Sequence, residues 1–123
     1  MVLDEPDVVA FLDRTPVFKG HVLVIPRVHH ETLVDVPSDL LQPLFSTVQR
    51  VQRAVVDALG AQGTFVAMNN VVSQSVPHLH VHVVPRTKGD GLKGFFWPRV
   101  KYADDGERDE YASRLRGALP GAE

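Results

Sequence analysis

Cysteine is absent from this 123-residue chain. That excludes disulfides, thiolate metal ligands and a thiol nucleophile. No apolar run is long enough to cross a bilayer. The opening residues, MVLDEPDVV, are acidic and lack the basic stretch and apolar stretch of a signal peptide. Excess charge is missing too: the formal net charge is −2, which gives no electrostatic footprint for nucleic acid or for a membrane surface. No repeat, linker or composition break marks a second domain. The expectation is one domain over residues 1–123 in a soluble, cytoplasmic protein. Apolar content of 44% suits a globular core, and at this length a homodimer would help to bury it.

What is present falls into alternating blocks. Val8 to Asp13 is short, apolar and β-prone, and Thr15-Pro16 breaks it. His21 to Ile25 reads as a second strand between Gly20 and Pro26, with His21, Leu23 and Ile25 on one face and Val22 and Val24 on the other. Ser38 is placed to cap a helix in which Leu41, Leu44, Phe45, Val48, Val51, Val55 and Leu59 recur at steps of three and four. Gly60 ends it, and Pro43 should distort or restart its first turn. Gln62-Gly63 is a turn, Thr64 to Met68 a third strand, Asn69 to Val76 a polar loop, and His78 to Val84 a fourth strand closed by Pro85. Residues 86–101, rich in Gly and positive charge around Phe95-Phe96-Trp97-Pro98, read as a long ordered loop. Arg108 to Leu119 closes the chain as a helix with Tyr111, Leu115 and Leu119 on one face. The order of elements predicts an α+β domain with an antiparallel sheet.

Three of the six histidines lie in PHLHVHVVPR, at His78, His80 and His82. On a strand they project from one face, about 6.5 to 7 Å apart, while Leu79, Val81 and Val83 turn to the core. Such a row can bind a metal such as zinc, serve phosphoryl chemistry with one attacking ring and neighbours that orient it, or be a solvated polar face. The preceding loop, Asn69-Asn70-Val71-Val72-Ser73-Gln74-Ser75, offers amide and hydroxyl donors suited to phosphate oxygens. No carboxylate lies close by in sequence to complete a zinc site.

His-Leu-His-Val-His-Val-Val at 78–84 resembles the signature of the histidine triad (HIT) family of nucleotide hydrolases and transferases. Asp7 to Asp13, Gly20 to Pro26 and Gln74-Ser75-Val76 resemble family segments in the expected order, so the likeness covers roughly residues 5–88. The resemblance implies a HIT-like α+β fold: an antiparallel sheet of about five strands, one long helix, a C-terminal helix, and a two-fold dimer. It implies that His80 is the nucleophile toward the α-phosphorus of an AMP-like purine nucleotide, giving a nucleotidyl-histidine that water hydrolyses. It places His82 near the scissile bond, His78 in support of the ring network, and His21 at the phosphate or orienting the triad. Gln74 and Ser75 fall at the phosphate and leaving atom, Asp13 at the ribose hydroxyls, Phe11 in the base wall, and Asn69 or Asn70 near ribose and phosphate. No cofactor or catalytic metal is implied. Two readings compete with a phosphoramidase or dinucleoside polyphosphate hydrolase: a nucleotide-binding module with little turnover, and a zinc-dependent hydrolase built on the three-histidine strand.

The chain departs from the family in three places. The Cys-x-x-Cys pair of a structural zinc is missing, so that zinc is expected to be absent, although His29 or His30 matches a zinc-ligand position. The loop from Asn69 to Ser75 is about two residues short and lacks glycine. Residues 86–101 carry Arg86, Lys88, Lys93, Arg99 and Lys101 against Asp90. These could hold a polyphosphate, and the aromatic cluster among them could pack on the body or on a partner subunit.

Overall fold

Val8, Ala10, Val22, Val24, Val81 and Val83 share one parity along their strands, and all six are buried. They form the inner face of a five-stranded sheet in a computed structural model that describes residues 1–92 and 98–120. The strands are β1 (Leu3–Asp4), β2 (Val8–Leu12), β3 (Val22–Pro26), β4 (Gly63–Ala67) and β5 (Val81–Arg86). Every pairing is antiparallel, and the spatial order is β1-β2-β3-β5-β4. Helix α1 (Ser38–Leu59) lays Leu44, Val48, Val51 and Val55 against that inner face. Sequence and structure thus agree on an α+β fold with an antiparallel sheet, one long helix and a C-terminal helix.

Contacts group the chain into two units, Met1–Asp90 and Gly91–Glu123. The first holds the sheet and α1. The second holds helix α2 (Asp105–Ala118), capped by Asp104, whose side chain accepts the Glu107 N–H at 2.8 Å. Within that unit the rings of Tyr102 and Tyr111 stand 5.7 Å apart, and the Arg114 guanidinium lies over Tyr111. The expected start at Arg108 is three residues late, because the pattern Asp104-x-x-Glu107 was a readable cap. No helix among the described residues is long and apolar enough to cross a membrane. Phe95, Phe96 and Trp97 lie outside the described residues.

Several boundaries differ from expectation for local reasons. Helix α1 begins at Ser38 with Pro37 in the cap position, and it runs through Pro43 without a restart. Pro43 lacks one amide donor near the helix start, and its own carbonyl takes the Thr47 hydroxyl at 2.8 Å. Gly60, at φ 70°, ends the helix in the left-handed region as its position predicts. The strand expected from His78 begins only at Val81, as β5; His78 lies in a bend, its N–H donating to the carbonyl of Val76 at 2.8 Å. Before β5, the Leu79 N–H turns aside to the carbonyl of His30 at 2.8 Å.

Candidate functional site

Register decides what stands opposite α1. Phe11 pairs with Leu23, Leu23 with His82, and His82 with Ala67, so these four form one row across the outer face of the sheet. A cavity of about 400 Å³ opens on that face. It is lined by the apolar Phe11, Leu23, Ile25 and Val76, and by Asp13, Thr15, Ser75, His78, His80 and His82. Leu79, Val81 and Val83 are each 0% exposed on the inner face, so the core holds all three triad rings on the cavity side.

Each ring is fixed by a different partner. His78 donates from Nε2 to the carbonyl of Pro26 at 2.8 Å, and its ring meets that of His29 edge-on. His80 Nδ1 lies 2.8 Å from the carbonyl of His78. A carbonyl can only accept, so Nδ1 of His80 carries the hydrogen and Nε2 of the neutral ring keeps its lone pair. His82 Nδ1 is 2.9 Å from Nε2 of His21. The ring centroids of His80 and His82 are 5.1 Å apart.

His21 is held by the loop between β2 and β3. The Asp13 N–H donates to the carbonyl of His21 and the His21 N–H to that of Phe18, which closes the loop. Gly20, at φ 98°, leads into His21 where an added side chain would collide with Leu59. Within the loop, Asp13 Oδ1 accepts the Thr15 N–H at 2.9 Å, and Asp13 Oδ2 stands 3.7 Å from His21 Nδ1. His21 is buried at 3% exposure. Burial holds its pKa below the usual histidine value, against the pull of Asp13. Burial does the same to His82, helped by the fields of His80 and His21 and opposed by Asp13. Both rings are therefore neutral at neutral pH.

The structure brings together Phe11, Asp13, Ser75, His78, His80 and His82 around the cavity, with His21 directly behind His82. Gln74, Asn69 and Asn70 do not line it. Gln74 accepts the Val71 N–H through Oε1 and donates from Nε2 to the carbonyl of Glu31. Asn70 accepts the Leu33 N–H at the head of a 3-10 turn, and Asn69 donates to the carbonyl of Ser73. These amides shape the short loop. The shape has a cost: Val71 and Ser73 adopt φ 73° and 62°, a region that suits glycine. Thr15, Leu23, Ile25 and Val76 were not anticipated as lining residues. Leu23 and Ile25 were legible as sharing the face of His21, and Thr15 as the second residue after an aspartate, where an Asx turn closes.

Arg86 is also engaged. Its Nε donates to Asp90 Oδ2 at 2.6 Å and its Nη2 to Asp90 Oδ1 at 3.2 Å, so it is not the free phosphate clamp that its sequence setting suggested. Among the described residues, one group of three could hold a metal, Asp13, His21 and His82. It is not the triad itself, and both nitrogens of His21 and Nδ1 of His82 are already hydrogen-bonded to each other and to the chain.

Against this geometry, the family profile described as HIT domain matches residues 1–89. The protein named Protein hit from Bacillus subtilis is 39% identical over 107 residues, covering 85% of this chain and 72% of that protein. The bis(5'-nucleosyl)-tetraphosphatase (asymmetrical) of Schizosaccharomyces pombe is 37% identical, and adenylylsulfatase HINT3 of Arabidopsis thaliana 34%, each over 66% of this chain but less than half of its own length. A crystal structure of a HIT family protein from Bacillus subtilis superposes with a TM-score of 0.83 at 34% identity, covering 98% of this chain and 87% of that one.

Two outcomes follow. Val71→Gly should raise stability by about 1 kcal/mol, the relief of a left-handed β-branched residue less the entropy glycine brings to the unfolded chain. Urea denaturation measures it, and a loss of stability would mean that the loop is not strained. The unfolded chain takes up protons at both rings near pH 6.5, whereas folded His21 and His82 resist them. Stability should thus be complete above about pH 6.5 and fall as pH drops below it. Urea midpoints at about pH 8 and about pH 5.5 test this, with His21→Asn flattening the difference.

Proposed function

Because the chain belongs to the HIT family, we propose that it is a nucleotidyl hydrolase or transferase that works through a covalent intermediate on His80. The observation that carries this reading is the hydrogen bond from His80 Nδ1 to the carbonyl of His78. It leaves a lone pair on Nε2 of a ring that lines the cavity. That nitrogen attacks the α-phosphorus of a bound nucleotide, the N–P bond forms, and the bond to the leaving group breaks with its electron pair. Water then attacks phosphorus and gives up a proton to solvent, the N–P bond breaks with its electron pair returning to Nε2 of His80, and a nucleoside monophosphate leaves. One difficult displacement becomes two easier ones, because an imidazole on phosphorus is a good leaving group.

The cavity suits an AMP-like purine nucleotide. Asp13 is positioned by the Thr15 N–H to accept ribose hydroxyls, and Phe11, Leu23, Ile25 and Val76 offer an apolar wall to the base. Ser75 supplies a hydroxyl on the triad side. Dinucleoside polyphosphates, adenylyl sulfate and nucleoside phosphoramidates are the substrate classes, and the activities named for the fission yeast and Arabidopsis relatives fall among them. The active form is a two-fold homodimer. Strand β4 is an edge of the sheet, where a second copy can continue the ladder.

His80→Asn should lower turnover by at least about 1,000-fold, the scale of losing a nucleophile, while nucleotide binding persists. Mass spectrometry after an alkaline quench should find one nucleotidyl group on the wild-type chain and none on the variant. Turnover that survives in the variant would reassign the nucleophile. Activity in excess chelator should be unchanged, and its loss would favour a zinc-dependent hydrolase.

A further inference from the structure

A neutral imidazole has one N–H and one lone pair, so a chain of hydrogen-bonded rings has a direction. The direction here is set from the backbone. The Val17 N–H lies 3.2 Å from Nδ1 of His21, and an amide can only donate. Nδ1 must therefore hold the lone pair, and the hydrogen sits on Nε2. That Nε2–H donates across 2.9 Å to Nδ1 of His82. His82 then has its lone pair on Nδ1 and its hydrogen on Nε2, the nitrogen left for whatever fills the cavity that the ring lines.

Asp13 would reverse the chain if it captured a hydrogen from Nδ1 of His21. Its Oδ2 stands 3.7 Å away, beyond hydrogen-bond range, and its Oδ1 already accepts the Thr15 N–H. A hydrogen on Nδ1 would also face the Val17 N–H, two donors head to head in a site 3% exposed. The same opposition restrains His82 from taking a second proton. Doubly protonated, His82 would need a lone pair on Nε2 of His21, which would force the His21 hydrogen onto Nδ1.

We propose that the Val17 amide is a positioning group that locks His82 as a neutral hydrogen-bond donor, so that the enzyme prefers leaving groups that depart as oxyanions over amines. This rests on His80 as nucleophile. Nε2 of His80 forms the bond to phosphorus, and the phosphorus–oxygen bond breaks. Its electron pair leaves on a polyphosphate or sulfate oxygen that needs no proton. His82 Nε2–H stabilises the developing charge and keeps its hydrogen. An alkylamine must be protonated as it departs, and a neutral imidazole held in this way does not supply that proton.

The test uses the full-length protein, adenylyl sulfate and diadenosine tetraphosphate on one side, and an adenosine 5'-phosphoramidate of an alkylamine on the other. Without a general acid, kcat for the phosphoramidate should be at least about 100-fold lower. Nitrogen-15 NMR of the wild-type rings at neutral pH should find Nδ1 of His21 bare and Nε2 of His82 protonated. Replacing the Val17 amide by an ester removes the N–H while keeping the side chain. It should mix the tautomers and shift the kcat ratio toward the phosphoramidate by about 5- to 10-fold, the scale of one hydrogen bond, whereas Val17→Ala should change neither. A hydrogen on Nδ1 of wild-type His21, or a phosphoramidate turned over as fast as the anhydrides, overturns the proposal. The wild-type spectrum decides even if the ester variant does not fold. An absent His80 adduct with every substrate refutes the function itself, while an adduct with the wrong preference refutes only the lock.

Discussion

The 2.9 Å hydrogen bond between His21 and His82 ties together the two central strands, the cavity and the loop that closes its far side. It exists because β3 and β5 pair with Val22 opposite Val83 and Leu23 opposite His82. A one-residue slip of that register would turn the histidines into the core and the valines into the cavity. The valines prevent it. Val22, Val24, Val81 and Val83 are buried against α1, so the packing that stabilises the sheet also aims the rings. Fold and site here share one constraint, the parity of two strands.

That parity was legible in the sequence. His78, His80 and His82 alternate with Leu79, Val81 and Val83, and His21 alternates with Val22 and Val24. Period two and the positions of Gly20 and Gly60 were enough to place four strands, α1 and the triad face, whereas β1 was not read and β3 and β5 run through Pro26 and Pro85, which were expected to stop them. The destinations of polar side chains in loops were not legible. Gln74, Asn69 and Asn70 have the chemistry of phosphate donors, yet their amides are engaged by Val71, Glu31, Ser73 and Leu33. Glu31 and Leu33 lie about forty residues away in the chain, and no local pattern reveals such a partner. Arg86 failed for a different reason: its partner, Asp90, was visible four residues on, and ion pairing took precedence over availability.

The loop from Asn69 to Ser75 joins these two observations. A loop with few residues and no glycine must still turn from β4 back to Ser75. It does so by placing Val71 and Ser73 in the left-handed region and holding them with side-chain amides. Gln74 supplies an acceptor to Val71 and a donor to the stretch before the 3-10 turn, fastening the loop at both ends. Strain of this kind persists only where surrounding bonds over-determine it. The amides that resemble ligand contacts in the sequence are the bonds that do so, and they leave Ser75 and Val76 at the cavity.

A final consequence concerns charge. Among the described residues lining the cavity there is no lysine or arginine, and Asp13 is a carboxylate. A phosphate bound there would meet the hydroxyl of Ser75 and the ring nitrogens of the triad. Such donors are weaker than cations in water, but in a partly buried cavity they are already oriented and need no reorganisation as charge develops. They also act by direction, and a neutral imidazole stabilises an anion only when its hydrogen faces that anion. With no lysine or arginine among the described lining residues, the tautomer of each ring therefore sets which nitrogen presents a hydrogen to the cavity. The carbonyl of His78 sets it for His80, and the amide of Val17, through His21, sets it for His82. In the proposed mechanism, the backbone thus decides which nitrogen would attack and which one would donate.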